Sequence, residues 1–514
     1  MNSLRHLVSL LSLLVFWMGT ARSSAALTDR AEIRVASKPF TESYILSEMV
    51  AQIIDDTGEA RAVRKFGLGG PTLVVDGLRS GELDIDVNYT GALTHLLLPT
   101  KQNPSIEDLH AELRAHGLLL SQSLGFNNTY AIAVRSETAR ALTLHNISDL
   151  RGHQQLRGAF TPDFLNYQDG FYKLQQVYGV TLTQVKPMQH SLAYQALASR
   201  EIDLTDAYTT DGSLPQFDLT LLTDDRGFFP KYYGVILIRD AVAKRFPKTW
   251  TALRKLEGTL SDSRMTQINA KVDVHKQAIT EVARQFLREQ KFITASERGT
   301  PIPGSVLEES LWTSTYEHLM LVLSALLLSC LIGIPLGILA VQYRRTGQLL
   351  IALTSLLQTI PSLALLCFLI PILGIGARPT IFALFLYGLL PVSQSTTTGL
   401  LSLDSRLIET ARILGLTKWQ RLRLIELPLA SRYILAGIKT TAVINVATAT
   451  IAALIGAGGY GRYITSGLAM NDGRLILKGA IPTAAMAVLF HFLFEYLARW
   501  LIPKGLQTER PREP

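Results

Sequence analysis

The segment Thr72-Leu73, running on to Leu78-Arg79-Ser80-Gly81-Glu82-Leu83-Asp84-Ile85 and closing on Tyr89-Thr90, recurs 119 residues later without a gap. Its second copy is Ser191-Leu192, then Leu197-Ala198-Ser199-Arg200-Glu201-Ile202-Asp203-Leu204, then Tyr208-Thr209. The shared unit is a hydroxyl residue, a short helix, a Ser-x-Glu turn, a strand, and Tyr-Thr at the strand's end. Repetition of such a unit predicts two similar α/β lobes. Ligands in α/β domains sit beyond the carboxyl ends of strands and at helix N-termini. The repeat therefore predicts that Tyr89 and Tyr208 face one cleft from opposite lobes. Thr72 and Ser191, at the two matching helix starts, are the expected polar donors.

Around the repeat, residues 30–298 read as one soluble domain. Ile33–Ala36 and Leu83–Val87 are strand-like, and Thr41 is placed to cap a helix. That helix would bury Ile45, Met49 and Ile53, with Val50 and Ile54. Alternation of this kind predicts a mostly parallel sheet. The chain's two cysteines, Cys330 and Cys367, both lie after residue 310, so the first domain has no disulfide framework or cysteine zinc site. Its histidines form no metal-ligating cluster, and His145 and His153 read as surface residues.

Farther out the character changes. Arg5, the apolar run Leu7 to Met18, and the small residues Ser24 and Ala26 predict an export signal over 1–26. The substrate-binding domain would span 27–298 and a Pro/Gly-rich linker 299–315. A membrane domain over 316–504 would precede a cytoplasmic tail, 505–514. Five apolar segments near 319–341, 349–373, 380–400, 433–456 and 479–502 are long enough, or nearly so, to span a bilayer. The charge follows the same division. Residues 27–310 carry 31 Lys+Arg and 34 Asp+Glu, whereas 311–514 carry 17 Lys+Arg and 8 Asp+Glu. The net charge of +8 thus belongs to the membrane part and is no nucleic-acid signature. With the first domain exported, five spans put Arg344 and Arg345, the basic stretch 404–432 and the tail on the cytoplasmic side. Pro335, Pro361, Pro371, Pro391 and Pro482 lie inside or at the ends of spans and suggest kinked helices around a pathway. His491 and Glu495, four apart in the last span, share one helix face. They suit a proton or substrate path, or a pair that steadies helix contacts.

The cytoplasmic stretch reads Glu409-Thr410-Ala411, three residues, Gly415, nine residues, then Ile425-Glu426-Leu427-Pro428. It resembles the signature loop of ABC-importer permeases, with Thr410 in place of an alanine. The resemblance implies two short helices that dock on a cytoplasmic ATPase. Glu409, Ala411, Gly415, Leu427 and Pro428 would carry the coupling. Gly415 permits the turn and Pro428 starts the next helix. The chain has no Gly-x-x-x-x-Gly-Lys-Ser/Thr loop, so ATP and Mg belong to a separate ATPase subunit, and no cofactor is expected in this chain. One chain supplies half of a pathway, which predicts a homodimer.

The exported domain resembles substrate-binding proteins of the quaternary-amine uptake family, which take glycine betaine, choline or carnitine. The resemblance rests on Ser37-Lys38-Pro39-Phe40-Thr41-Glu42, Gly81-Glu82-Leu83-Asp84-Ile85, Tyr89-Thr90-Gly91 and Phe126-Asn127-Asn128-Thr129-Tyr130. It continues through Asp206-Ala207-Tyr208-Thr209-Thr210-Asp211-Gly212 and Phe228-Phe229-Pro230-Lys231-Tyr232. It implies an aromatic cage of Tyr89, Tyr130, Tyr208 and Tyr232, with Tyr233 as the alternative to the last. The residue type suits the ligand. A trimethylammonium head has no N–H to donate, and aromatic faces attract it by about 0.5–2 kcal/mol per contact. Tyr167 stands where relatives often carry Arg, Lys231 where Pro is frequent, and Pro39 where Asn is frequent.

The expected function is therefore the substrate-binding and permease subunit of an ABC importer for quaternary ammonium compatible solutes. It would sit in the inner membrane with the binding domain outside, and it is not itself an enzyme. Ergothioneine or a polar amino acid remains open as the substrate. A ligand-gated channel is the reading from another class, and the ATPase-docking loop argues against it.

Overall fold

The computed structural model describes residues 30–98, 105–166, 170–188, 190–293, 311–470 and 472–501. The signal segment, Tyr167, residues 299–310 of the linker and the tail lie outside the described residues. The chain forms two compact units, one of residues 29–308 with 465–474 and one built on 309–464 with 475–514.

The first unit contains two five-stranded sheets of one design. Its strands are β1 (Glu32–Ala36), β2 (Arg61–Lys65), β3 (Ile85–Tyr89), β4 (Leu118–Leu120), β5 (Tyr130–Arg135), β6 (Arg157–Phe160), β7 (Gln184–Pro187), β8 (Leu204–Tyr208), β9 (Leu219–Leu222) and β10 (Gly234–Arg239). The strand orders are β2-β1-β3-β10-β4 and β7-β6-β8-β5-β9. The first three strands of each order run parallel, and the last two pairings are antiparallel. The sheets are thus mixed, not mostly parallel. The reason is the chain's route. β5 and β10 are each entered directly after the chain crosses between lobes, so each arrives from the far side and runs against its neighbours.

The repeat governs more than topology. In the first lobe, Asp84 closes the bottom of β3 by accepting hydrogen bonds from the Arg34 backbone N–H (2.9 Å), Arg34 Nε (2.8 Å) and Arg239 Nη1 (3.1 Å). In the second, Asp203 accepts from the Arg157 backbone N–H (2.9 Å), Arg157 Nε (3.0 Å) and Arg135 Nη2 (2.8 Å). Burial alone would raise the Asp203 carboxyl. Its arginine hydrogen bonds outweigh that and hold it at about 2.

Five helices of this unit matter to the site: α1 (Thr41–Thr57), α2 (Pro71–Ser80), α3 (His190–Ala198), α4 (Asp262–Asp273) and α5 (Ile279–Glu289). α1 buries Ile45, Met49, Val50, Ile53 and Ile54, as its apolar spacing requires. Thr41 is not its cap. Phe40 holds that position, and the Thr41 hydroxyl donates instead to Asp273 Oδ1 (2.5 Å) at the end of α4.

From residue 311 on, the described chain is helical: α6 (Leu311–Gln342), α7 (Arg344–Thr359), α8 (Ser362–Leu373), α9 (Ala377–Leu401), α10 (Ser405–Ile413), α11 (Lys418–Arg421), α12 (Leu427–Thr448), α13 (Gly461–Ala469) and α14 (Gly473–Leu501). α6 begins inside the stretch expected as linker. Among the described residues, α6 and α14 are long and apolar enough to cross a membrane. The expected span 349–373 is instead a bent pair, α7 and α8, meeting at 100°. Pro361 explains the bend, because the residue before a proline is pushed out of the helical region. Ile360 accordingly has ψ 125°. α9 and α12 occupy the places of the third and fourth expected spans, but α12 stops at Thr448. Small residues bring α6, α9 and α12 together. A Cβ on Gly333 would meet Val392, one on Gly337 would meet Thr396, and one on Gly388 would meet Ser329 and Thr441.

Candidate functional site

The two lobes are joined by an antiparallel ribbon formed where the chain crosses between them. Asn128 N donates to Tyr232 O (3.0 Å), Gly234 N to Phe126 O (3.3 Å), and Leu124 N to Gly234 O (2.8 Å). Tyr130 follows one crossing and Tyr232 ends the other, so both rings stand at the hinge. Tyr89 and Tyr208 end β3 and β8, at the carboxyl ends the repeat pointed to. β5 and β8 pair antiparallel with Tyr130 opposite Tyr208.

Three of the four expected rings meet directly. Tyr130 lies 5.2 Å from Tyr208 between centroids, and 5.8 Å from Tyr232 with the rings at 88°. Phe164 stacks on Tyr130 at 5.0 Å, and Phe229 lies 6.3 Å from it. Gly91 makes the Tyr232 placement possible, since a Cβ there would sit 2.6 Å from the ring. Tyr89 is held differently. Its ring lies beside Phe40 and edge-on to Phe126, and its hydroxyl donates to Glu42 Oε1 (2.6 Å). Burial, followed by the charge of Glu42, pushes the Tyr89 hydroxyl far up, so the ring keeps its proton.

Glu42 ends one of the quoted motifs, and the structure sets it at the centre of a hydrogen-bond network that the sequence reading did not single out. It is fully buried and accepts four hydrogen bonds from parts of the chain far apart in sequence. Besides Tyr89, they come from Asn128 Nδ2 in the hinge (2.9 Å), Thr210 Oγ1 in the second lobe (2.6 Å) and Asn269 Nδ2 on α4 (2.7 Å). Burial raises its carboxyl, and the four donors oppose that rise. Asn269 also donates to Thr210 O (2.8 Å). A Cβ on Gly212 would lie 2.3 Å from Ala270 N, so this segment of the second lobe sits hard against α4.

The second residue missed is His190. Its ring stands edge-on to Tyr208 at 4.6 Å, and its Nε2 lies 2.7 Å from Asp206 Oδ2. It opens α3, where the repeat aligns it with Pro71, so comparison of the copies offered no signal for it. Of the expected donors, Thr72 is exposed in the first turn of α2, and Ser191 lies in the first turn of α3. Chemically, clustered aromatic faces with a buried carboxylate behind one ring favour a large, weakly hydrated cation. A phenol that donates to a carboxylate presents a more electron-rich face.

The membrane unit carries its own surface site. α10 and α11 are joined through Gly415 at φ +79°, and a Cβ there would meet nothing within 4 Å. Thr417 caps α11 reciprocally with Gln420. Ala411 is buried and Glu409 exposed. Leu427 and Pro428 open α12. Apolar residues stand uncovered here, most of all Ile413 (81% exposed), Leu414 (74%) and Trp419 (67%).

Comparison with known proteins agrees with both halves. Residues 31–289 match the substrate-binding domain of ABC-type glycine betaine transport systems, and 333–505 match the binding-protein-dependent transport system inner membrane component. The chain belongs to the ABC glycine betaine transport family, as a substrate-binding domain fused to a permease domain. It is 41% identical to the carnitine transport permease protein OpuCB of Listeria monocytogenes over 39% of this chain and 92% of that protein. It is 42% identical to the glycine betaine/carnitine/choline transport system permease protein OpuCD of Bacillus subtilis, over 39% and 86%. A crystal structure of a glycine betaine/carnitine/choline ABC transporter is similar over 51% of this chain and 99% of that one, with 30% identity and a TM-score of 0.45.

Proposed function

We propose that this chain captures a quaternary ammonium solute of the glycine betaine, choline or carnitine type in a tyrosine cage and passes it through its own permease half. The observation that carries the reading is the cluster of Tyr130, Tyr208 and Tyr232 at the hinge, with Phe164 and Phe229 behind it. Tyr89 supplies the wall from the first lobe, made electron-rich by Glu42. Thr72 and Ser191 donate to the ligand's carboxylate or hydroxyl end. Ligand bound between the rings draws the lobes together, since Tyr89 and Tyr208 belong to different lobes.

The permease half contributes five spans, with α7 and α8 together as the second. Two copies of the chain complete the pathway. The binding domain is extracytoplasmic, and α10–α11 face the cytoplasm. There the uncovered Ile413, Leu414 and Trp419 offer an apolar surface of the kind an ATPase subunit buries. That subunit holds ATP and Mg. Tethering receptor to permease keeps its effective concentration high.

The test is equilibrium binding of radiolabelled choline, glycine betaine and carnitine to the full chain in lipid nanodiscs, with an amino-acid panel as competitors. Saturable binding of a trimethylammonium ligand, unaffected by excess amino acid, is expected. Displacement by an amino acid but by no quaternary amine would contradict the reading.

A further inference from the structure

One ion pair stands at the edge of the ring cluster, and in the second lobe only. His190 opens α3, and its Nε2 lies 2.7 Å from Asp206 Oδ2 on β8. Asp206 and Tyr208 are alternate residues of that strand and so share a face. The His190 ring reaches both, at right angles to Tyr208 with centroids 4.6 Å apart. Asp206 is fully buried, whereas the His190 side chain stays 17% exposed. The repeat puts Val87 at the place of Asp206 and Pro71 at the place of His190. Both members are therefore missing together from the first lobe, whose α2 and β3 form without them. The pair is an addition to the second lobe and no part of the shared scaffold.

This pair brings a positive charge to the cage. A buried carboxylate is costly unless a cation or several donors compensate it. Among the described residues, Asp206 has no lysine or arginine partner. It accepts from the Thr161 backbone N–H (2.8 Å) and hydroxyl (2.6 Å), and it meets His190. A second carboxylate, Asp211, lies behind Tyr194, whose hydroxyl donates to it (2.6 Å) and whose ring stacks on His190 at 6.1 Å. Both carboxylates favour the imidazolium form of His190. The N-terminal end of α3 opposes that charge, but a full negative charge at 2.7 Å outweighs the partial charge of a helix end.

We infer that His190 sets the substrate class, attracting the carboxylate of a zwitterionic solute whose trimethylammonium head lies among the tyrosines. Glycine betaine and carnitine carry both charges and have no net charge. Choline carries the ammonium alone, and a cation beside the cage repels it. The rings hold the head that all three share, and His190 separates the zwitterions from choline. Asp206 and Thr161 are positioning residues, since they keep the imidazole charged and in place. The inference rests on the cage reading above and chooses among the ligands that reading allows.

The test is the ratio of glycine betaine affinity to choline affinity, read by equilibrium binding of the radiolabelled ligands to the full chain in nanodiscs. The unaltered chain is expected to favour glycine betaine by about tenfold or more. His190→Gln can still donate to Asp206 but carries no charge, and the ratio is expected to fall about tenfold, toward parity. A residue that only fastened α3 to β8 would lower both affinities together and leave the ratio where it was. An unchanged or increased ratio in His190→Gln would therefore overturn the inference and leave the cage reading standing, as would an unaltered chain that favours choline. An unaltered chain that binds no quaternary amine would overturn both. Should His190→Gln fail to accumulate, Asp206→Asn is read in its place, because it leaves the imidazole without the carboxylate that keeps it charged. The same fall in the ratio is expected there, and an unchanged ratio would overturn the inference.

Discussion

The two lobes of the binding domain share one sheet order, one aspartate–arginine clamp and one strand-end tyrosine, yet the two tyrosines are held in different ways. Tyr89 in the first lobe is buried, with its hydroxyl on Glu42. Tyr208 in the second is only partly buried and stands between His190 and Tyr130. The scaffold is duplicated and the site is not. Each lobe brings a ring to the same place, and residues outside the repeat decide what the ring can do there.

The largest effect expected from breaking this arrangement is at Tyr130, whose ring touches Tyr208, Tyr232, Phe164 and Phe229. Tyr130→Ala would remove one wall of the proposed cage and loosen the rings packed on it. A loss of about 2 kcal/mol or more, or at least thirtyfold in affinity for the bound quaternary amine, is expected by equilibrium binding. Unchanged affinity would separate the ring cluster from the ligand.

Next is Glu42→Gln, which keeps the shape and removes the charge. Hydrogen bonds to a charged group are worth roughly 1.5–3 kcal/mol each in place. The substitution is expected to weaken ligand binding about tenfold and to lower the unfolding temperature of the binding domain. Glutamine also places an N–H where one of the four donors pointed. Loss of stability with full affinity would make Glu42 a structural knot only.

How much of this was legible follows from the same contrast. The repeat of 72–90 in 191–209 gave the two lobes, the matched strands and the positions of Tyr89 and Tyr208, because those features are local to the repeated unit. Glu42 and His190 were not legible as partners of those rings. Their roles depend on contacts with residues 47 and 18 positions away, which the repeated unit does not encode. The sheet's mixed direction was missed for a related reason, since only the route through the hinge sets how β5 and β10 enter. In the membrane half, the span 349–373 read as one segment by apolar length, and Pro361 divides it.

Smaller effects sharpen the comparison of scaffolds. Asp84→Asn and Asp203→Asn cut equivalent clamps, and each is expected to cost roughly 1–3 kcal/mol of domain stability while leaving ligand selectivity unchanged. Asp203 titrates at about 2 when folded against an ordinary 3.8. Its contribution is therefore complete above about pH 4 and is lost as pH falls through about 2. Chemical denaturation of both variants at pH 7 tests whether the clamps are equivalent. A much larger loss in one lobe would show that the copies have diverged in load as well as in chemistry.

A further effect is pH-dependent and belongs to the contact between the second lobe and α4. Asp273 is pushed up to about 7, first by burial and then by the charge of Asp211, while the Thr41 hydrogen bond opposes the rise. The folded state therefore holds a proton that the unfolded chain releases near pH 4. Stability falls as pH rises from about 4 to about 7, by at most about 1.4 kcal/mol per pH unit. Asp273→Asn is expected to raise the unfolding temperature at pH 8 and to leave it unchanged at pH 4. Stabilisation of equal size at both values would rule out titration as the cause.

The most direct measurement is a calorimetric titration of the full chain in nanodiscs with choline, glycine betaine and carnitine, repeated on Tyr89→Leu and Tyr208→Leu. The account holds that one ligand is gripped by both lobes, so both variants should lose at least tenfold in affinity for the same trimethylammonium compound. Loss in one variant with full affinity in the other would contradict a cage shared between the lobes.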